Sequence, residues 1–445
     1  MSLVSDRDDG AGLTRRDFLK VTGSSLAGLS FSGLLAGGVK GSSGGTVTLG
    51  GIFSLSGPNA SVGRTIRDGA RVAVKKVNAS GGIWDELKLE LVVKDGETSQ
   101  TGASKAARGL AGRGDVDFVL GPLIGTHGRA TQPILAGAGM PQVFFGTDVG
   151  FTDRHEEYPL SIRFGTQTSL QFAPPVKYAV QERGDEKLFL LAPKNNQGKS
   201  IKNVTESFMA GLEGAQLVGS EFYPPFNRDF SSLMTKVLSS EAEGVVIGTG
   251  IPADLISVAR EFDRQGLDPE QFGYYTGQTP NGSVGFKKQV IDKGLGGGVI
   301  YSWHYEKRRY GRSFQSKNPP EEAVAMETAY REEYGSSPDS APSASWGWGS
   351  VRILKQAIEG LVKNYGRDQV VNGGLNGELP REAINYLLPD EGENRGPVFR
   401  TPFGDASFLP CGQFNVRLGV ATIRNESQYL LEDRGYGDKI LPPLC

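Results

Sequence analysis

The residue types that carry catalysis are scattered along this sequence. The three histidines lie too far apart for a metal centre, and no metal-binding spacing joins them: His127, His155 and His304. The stretch 41–45 matches the G-x-S-x-G pattern in letters only, because it lies in a Gly/Ser-rich segment before any strand. The run 198–200 ends like a phosphate-binding loop, but Pro193 stands where that loop needs its leading glycine. We therefore expect binding without catalysis, and without a metal or cofactor.

Glycines and polar side chains follow several of the predicted strands. They are Gly125 and Thr126, then Gly146, Thr147 and Asp148, then Gln197, Gly250 and Thr279. In a parallel sheet, the loops outside the carboxyl ends of the strands are where ligands bind. Hydroxyl and amide groups in such loops can hydrogen-bond a small polar molecule. These loops are therefore the predicted binding site.

Short apolar runs alternate with segments of helical periodicity over most of the chain. Strands are predicted at 46–53, 87–93, 116–120, 141–145, 187–192, 216–223, 244–248 and 272–276. Helices are predicted at 64–79, around 103–110, and at 126–139, 167–181, 198–212, 229–239 and 252–265. This alternation predicts an α/β fold with two doubly wound, Rossmann-like lobes.

The later part of the chain is predicted to return to the first lobe. The apolar run 299–305 would carry the chain back, and 320–334 and 345–364 would add two helices. The tail from 397 to 422 would form a hairpin on the second lobe. The predicted boundaries are 46–165 plus 300–385 for the first lobe, and 166–299 plus 386–445 for the second.

The N-terminus has the pattern of a twin-arginine (Tat) export signal. Arg15-Arg16 precede a weakly apolar run at 21–39 that serines and glycines dilute. A transmembrane anchor is the alternative for this run, so membrane retention stays open. Gly38 stands where a lipobox needs cysteine, which predicts that no lipid is attached. Residues 1–45 are assigned to the signal and a Gly/Ser linker.

Composition narrows the range of partners. The 445 residues carry a formal net charge of -2, which argues against nucleic acid or an anionic membrane surface as a partner. No second apolar run of about 18 residues follows the N-terminal one. Cys411 and Cys445 could form a disulfide in an exported protein or remain free thiols.

Short motifs recur in the order and spacing of one known family. They include IFSLSGPNA at 52–60, Gly63, Gly69-Ala70, VNASGGI at 77–83, Gly121-Pro122, Asp229-Phe230-Ser231 and TPFG at 401–404. This series resembles the type I periplasmic binding proteins, most of all the branched-chain amino acid and amide receptors of ABC importers. The resemblance extends from Thr46 to Arg424.

The resemblance implies two lobes joined by a three-crossover hinge, with a solute held in the cleft between them. In amino-acid receptors a serine at the place of Gly125 binds the ligand carboxylate together with helix N-terminal amides. Thr126 adjoins that place and either contacts the ligand or only caps the helix. Gly146 and Thr147 would offer backbone groups and a hydroxyl to the same carboxylate. Asp148 is either a turn former or a partner for an amine.

Three departures from the family pattern leave the ligand open. Gln197 and Val62 stand where relatives have aromatic residues, Gly125 replaces the serine, and no carboxylate lies near Thr279, where amino-acid receptors carry a glutamate for the ammonium. A branched-chain or other amino acid, an amide, a urea-like compound and a carboxylate all remain candidates. Trp303 either lines the cleft from the hinge or packs in a core strand.

The implied function is an extracytoplasmic receptor that delivers a small polar solute to ABC permease subunits. A sensory ligand-binding module of the same fold is the alternative. Such modules usually continue into a transmembrane or signalling segment, and none is seen before Cys445, which favours transport. An enzyme is not expected.

Overall fold

The computed structural model describes residues 45–282, 284–295, 297–304, 320–372, 374–424 and 427–436. The predicted export signal lies outside these residues. Cys411 is disulfide-bonded, and Cys445, the other cysteine of the sequence, lies outside the described residues. Within the described ranges, no helix has both the length and the apolarity needed to cross a membrane.

A parallel sheet forms the centre of the first lobe. Its strands are β1 (Thr46–Phe53), β2 (Lys88–Asp95), β3 (Phe118–Leu120), β4 (Gln142–Phe144) and β5 (Ser161–Arg163), in the order β2-β1-β3-β4-β5. The helices that follow these strands are α1 (Ala60–Ala79), α2 (Gln100–Ala111), α3 (Gly125–Gly137) and the short α4 (Val149–Thr152). This βα alternation places the loops after β1, β3 and β4 at one edge of the sheet.

Helices from the later part of the chain pack on the core of the first lobe. They are α11 (Glu321–Tyr334), α12 (Ala341–Tyr365), α13 (Arg367–Val371) and α14 (Leu379–Leu387). A Cβ atom on Gly69 of α1 would lie 2.2 Å from the carbonyl oxygen of Ala344, and one on Gly347 would lie 1.9 Å from that of Ile66. Helices α1 and α12 therefore approach each other so closely that positions 69 and 347 require glycine.

A buried ion pair ties α11 to α12. Glu322 accepts hydrogen bonds from Trp348 Nε1 and from Arg352 Nη2, each at 2.7 Å. Trp348 is only 1% exposed and belongs to the core of the first lobe.

The second lobe is built on a larger mixed sheet. Its strands are β6 (Lys187–Pro193), β7 (Gln216–Tyr223), β8 (Gly244–Ile247), β9 (Gly273–Thr276), β10 (Ile300–His304), β11 (Phe399–Thr401), β12 (Gly404–Phe408), β13 (Phe414–Arg424) and β14 (Ser427–Tyr436). The order is β11-β12-β13-β10-β9-β8-β6-β7, with β14 on β13. Strands β6 to β10 form a parallel set, whereas β13 runs antiparallel to β10.

Helices again connect the parallel strands of the second sheet. They are α5 (Thr168–Tyr178), which continues into a π-helical turn at Ala179–Arg183, then α6 (Asn196–Met209), α7 (Ser231–Leu238), α8 (Pro252–Gln265), α9 (Thr279–Gly282) and α10 (Val284–Gln289). The predicted α/β fold with two wound sheets is confirmed.

The prediction that the chain re-enters the first lobe at residue 300 is wrong. Ile300 and Tyr301 pair with Tyr275 and Thr276 of β9, so the run 300–304 is a strand of the second sheet. Ile300 and Tyr301 are buried in the cores of the second lobe. An apolar run of this length suits a buried strand of either sheet, so the hydrophobic pattern alone does not identify its partner.

The tail contacts both lobes instead of forming a simple hairpin on the second. Strands β11 to β13 belong to the second sheet, yet Phe403 and Phe414 lie in the core of the first lobe. Arg163 N at the end of β5 donates to Gly412 O at 2.8 Å, and Gln413 Nε2 donates to Gly165 O at 3.0 Å. The segment before β13 therefore adjoins the crossover that follows β5.

Candidate functional site

The predicted loops lie at the carboxyl edges of the two sheets, and these edges meet near residues 166–168. Gln278 Nε2, in the loop after β9, donates to Thr166 Oγ1 at 2.7 Å. The backbone nitrogen and the hydroxyl of Thr168 both donate to Thr147 O at 3.0 Å, in the loop after β4. The crossover 166–168 thus touches a nominated loop from each lobe, which is the geometry of a site between two sheets.

Two glycines let the loops after β3 and β4 of the first lobe pack together. A Cβ atom on Gly146 would lie 2.1 Å from Leu123 O. A Cβ atom on Gly125 would lie 2.3 Å from Asp148 Cβ and 2.4 Å from its Oδ2. Gly125, Gly146 and Asp148, which were nominated separately from the sequence, are therefore direct neighbours.

The Asp148 carboxylate lies beside the first turn of α3. Its Oδ1 accepts the backbone N–H of Gly150 at 2.9 Å, which is the turn-forming role predicted as one alternative. Its Oδ2 lies 3.3 Å from Arg129 Nη2, and the two side chains are 22% and 40% exposed, respectively. Asp148 is therefore both a turn former and one half of an ion pair.

A buried arginine supports this loop from within the first lobe. Arg163 on β5 is 0% exposed, and its Nη2 donates to Asp148 O. Burial lowers the pKa of Arg163 to about 9, and the nearby charges of Asp148 and Asp153 oppose that shift. The guanidinium therefore remains protonated at neutral pH and fixes the backbone of the loop.

Thr126 and Val62 each lie half-buried on a helix of the first lobe. Thr126 is half-buried in the first turn of α3, whose N-cap is Ile124 with no side-chain capping hydrogen bond. The alternative in which Thr126 caps α3 is therefore not what the structure has. Val62 is half-buried on α1 and packs against the core of the first lobe.

Gln197 and Gly250 meet in the second lobe. Gln197 is half-buried at the start of α6, and a Cβ atom on Gly250 would lie 2.6 Å from its Nε2. A side chain at position 250 would therefore have to move the Gln197 amide aside. The end of α6 that resembles a phosphate loop is already capped, because Asn195 Oδ1 accepts Gly198 N at 2.9 Å.

Thr279 is part of a hydrogen-bonded chain that ends at a buried carboxylate. Thr279 Oγ1 donates to Thr249 O at 3.0 Å, and Thr249 Oγ1 donates to Asp254 Oδ2 at 3.2 Å. Asp254 is 0% exposed, and burial raises its pKa to about 6. Within this series of hydrogen bonds, the carboxylate nearest to Thr279 is that of Asp254, and it is shielded behind the loop that carries Thr249.

The cleft-lining role of Trp303 is not tested by the structure. The backbone of Trp303 is placed in β10 opposite Gly419 of β13, but its side chain is outside the described part, so its cleft-lining role stays a prediction. The described ranges contain no His/Cys/Asp/Glu group that could hold a metal ion.

The structure thus assembles two groups of nominated residues. Gly125, Thr126, Gly146, Thr147 and Asp148 adjoin one another in the first lobe, and Gln197, Gly250 and Thr279 in the second. Sequence reasoning missed Arg129, Arg163, Thr166 and Gln278. Arg129 was detectable, because it follows Gly125 by four residues on one helix face. Arg163 gave no such signal, because a charged residue that ends a strand is usually exposed.

Comparison with known proteins gives the family. The model of the periplasmic binding protein family matches residues 46–417. The chain belongs to this family. The predicted family is thereby confirmed, and membership implies an extracytoplasmic location and a role in binding solutes.

This periplasmic binding protein is 31% identical over 206 residues to the Leu/Ile/Val-binding protein BraC3 of Rhizobium johnstonii. That match covers 45% of the chain and 54% of the relative, so the chain spans about half the length of that relative.

Two solved structures share the fold. One is the branched-chain amino acid transporter substrate-binding protein LivJ of Streptococcus pneumoniae, in complex with isoleucine. It matches with a TM-score of 0.67 at 20% identity, and the match covers 87% of this chain and 99% of LivJ. The other is a solute-binding protein of an ABC transporter from R. palustris, in complex with 4-hydroxybenzoate, with a TM-score of 0.67 at 16% identity, covering 88% and 96%.

Proposed function

We propose that this periplasmic binding protein is the solute receptor of an ABC importer. It binds a small polar molecule between the loops of its two lobes and delivers it to the permease subunits. The observation that carries the proposal is the meeting of loops from both sheets at 166–168, in a chain whose family match spans residues 46–417. The lobes would close over the solute by bending at the crossovers.

Each lobe contributes different groups to the solute. The first lobe offers the hydroxyls of Thr126 and Thr147 and the carboxylate of Asp148, and the second offers the amide of Gln197 and the hydroxyl of Thr279. Hydroxyl and amide groups both donate and accept hydrogen bonds, so they suit polar solutes that are amino acids, amides or urea-like compounds. Trp303 and Val62 would line the same cleft.

The division of the chain into lobes is part of this proposal. The first lobe comprises 46–165 and the helices from 320 to 385, whereas 300–304 is moved to the second lobe with 166–299 and the tail from 386. The hinge then includes the crossover after β5 and the segment before β13, which hydrogen-bond to each other.

Export by the twin-arginine route belongs to the same proposal and rests on Arg15-Arg16. The partners are the solute and the permease subunits, without nucleic acid. Retention at the outer face of the membrane by an uncleaved N-terminal segment is compatible with this role.

A thermal-shift screen of amino acids, amides, urea compounds and short carboxylates tests the proposal. A solute present at 100 times its dissociation constant should add about 2.7 kcal/mol to the free energy of unfolding. Stabilisation by at least one compound, confirmed by a saturable binding isotherm, is the expected result. The proposal would be contradicted if no small solute stabilised the protein and it instead bound a nucleotide or turned over a substrate in solution.

A further inference from the structure

The side chain of Asp148 occupies the space next to the first residue of α3. Its Cβ, Cγ and Oδ2 lie within 2.3 to 2.7 Å of where a Cβ atom on Gly125 would be. Any side chain at position 125 would collide with this carboxyl group. The loop after β3 and the loop after β4 therefore share one small volume, and Asp148 fills it.

This volume has two features that favour an anion. The first backbone N–H groups of a helix point outward without intrahelical partners, and the helix dipole favours negative charge there. Arg129, one turn further along α3, adds a full positive charge 3.3 Å from Asp148 Oδ2. The Asp148 carboxylate already pairs with Arg129 and lies beside this helix N-terminus.

The backbone around Asp148 is held on two sides. The carbonyl oxygen of Asp148 accepts a hydrogen bond from the buried Arg163, and the carbonyl oxygen of Thr147 accepts two from Thr168. Oδ1 is tied to Gly150 N at 2.9 Å. A ligand carboxylate would have to displace this side chain from its fixed loop or lie against a like charge, and both are unfavourable.

We infer that Asp148 sets the ligand class of the first lobe: it selects against a carboxylate and for an N–H donor such as an uncharged carboxamide. The inference rests on the proposed function, because it concerns the same cleft. A carboxylate has about four acceptor positions, and within the described residues the Asp148 carboxylate contacts Gly150 N and Arg129 Nη2. With 22% of the side chain exposed, the carboxylate remains accessible to a further donor.

The ligands of the two solved structures both differ from a carboxamide in this respect. Isoleucine and 4-hydroxybenzoate, bound by LivJ and by the R. palustris protein, both carry a carboxylate. The ligand class inferred for this protein lacks that carboxylate.

The test compares carboxylates with their amides at constant shape. Isothermal titration calorimetry on the exported full chain would use isocaproate against isocaproamide, and 4-hydroxybenzoate against 4-hydroxybenzamide. At least one amide should bind at least about tenfold more tightly than its carboxylate, because like charges in a partly desolvated cleft repel.

Two substitutions should move this preference in opposite directions. Asp148→Asn keeps the shape and removes the charge, so the amide-to-carboxylate preference should fall at least about tenfold. Arg129→Gln leaves Asp148 without its cation, so the preference should rise. A folding defect cannot produce both changes. The matched control is Asp115→Asn, an exposed acid paired with Arg113 before β3, at the opposite edge of the sheet, and it should leave the preference unchanged.

Several results would overturn the inference. They are equal or tighter binding of the carboxylates by the wild-type chain, and an unchanged preference in both Asp148→Asn and Arg129→Gln. Tight binding of leucine that collapses in Asp148→Asn would also overturn it, because Asp148 would then pair an ammonium while the carboxylate is accepted. Absence of binding by all four probes overturns the inference as well, whereas the proposed function is judged separately by the wider screen.

Discussion

Asp254 gives the sharpest quantitative prediction, because folding buries a group that ionises in an accessible pH range. Its side chain is 0% exposed at the start of α8, behind the loop that carries Thr249 and Thr279. Burial raises the pKa of Asp254 from 3.8 to about 6, although hydrogen bonds from Thr249 and from the backbone of Phe226 and Asn227 oppose the shift.

The direction of the pH dependence of stability follows from the number of protons that the folded and unfolded states bind. The unfolded chain loses the proton near pH 4, whereas the folded chain keeps it until about pH 6. Between these values the folded state binds more protons, so the free energy of unfolding falls as the pH rises. The interval between 3.8 and about 6, at about 1.4 kcal/mol per pH unit, corresponds to a loss of ~3 kcal/mol.

The perturbation is Asp254→Asn, which removes the ionisation and keeps the side-chain size. Urea unfolding of both proteins at pH values from 4 to 8 gives the difference in free energy of unfolding at each pH. Relative to the variant, the wild-type chain should lose ~2.4 kcal/mol between pH 4 and pH 7, because part of the full loss already occurs below pH 4. Asp117, whose pKa burial also raises to about 6, is present in both proteins, and its contribution cancels in the difference.

A control of opposite sign is available. Asp115 is exposed, and its hydrogen bond from Arg113 lowers its pKa, so the difference in free energy of unfolding between wild type and Asp115→Asn should show no such loss between pH 5 and pH 7. A difference between wild type and Asp254→Asn that stays flat from pH 4 to pH 7, or that grows in favour of the wild type, would refute the assignment of a buried, proton-holding carboxyl.

Further predictions concern packing, ligand binding and export. Glu322→Ala should destabilise the chain by about 3 kcal/mol in urea unfolding, because it leaves buried donors unpaired; a change within about 0.5 kcal/mol would show that the pair is unimportant. Thr147→Val should weaken solute binding by about 0.5–3 kcal/mol in calorimetry if its hydroxyl contacts the ligand, and an unchanged affinity would remove it from the site. Changing Arg15-Arg16 to two lysines should leave precursor in the cytoplasm on cell fractionation, and normal export would contradict the twin-arginine route. Intact-mass measurement should find no lipid on the mature protein, since Gly38 replaces the lipobox cysteine, and an added diacylglycerol would contradict this.

Most of the parallel strands were predictable because they are short apolar runs between helical segments, whereas the three-residue β5 (Ser161–Arg163) was not predicted. The predicted strands 46–53 and 216–223 coincide with β1 and β7, whose alternation with helices also fixes which edge carries the loops. Strand β10 was assigned to the wrong lobe, because its pairing with β9 cannot be read from an apolar run and its pairing with β13 joins residues such as Ile300 and Thr422 that are far apart in sequence.

The site was predictable as a set of loops but not as a set of contacts. Chain order identified Gly125 and Asp148 as loop residues, yet their separation of 23 positions says nothing about their meeting. That contact depends on β3 and β4 being neighbours in register and on both loops turning the same way. Arg163 was missed because its burial results from the tertiary position of β5 and from its bond to Asp148 O.

The central claim is that one solute site is shared by the loops of both lobes. Hydrogen–deuterium exchange, with and without the best solute of the screen at saturation, measures this most directly. Ligand should slow exchange together in peptides covering 121–129 and 145–150 of the first lobe and 194–199, 248–254 and 277–282 of the second, because closure shields both edges. Protection confined to one lobe, or located away from these loops, would contradict the account.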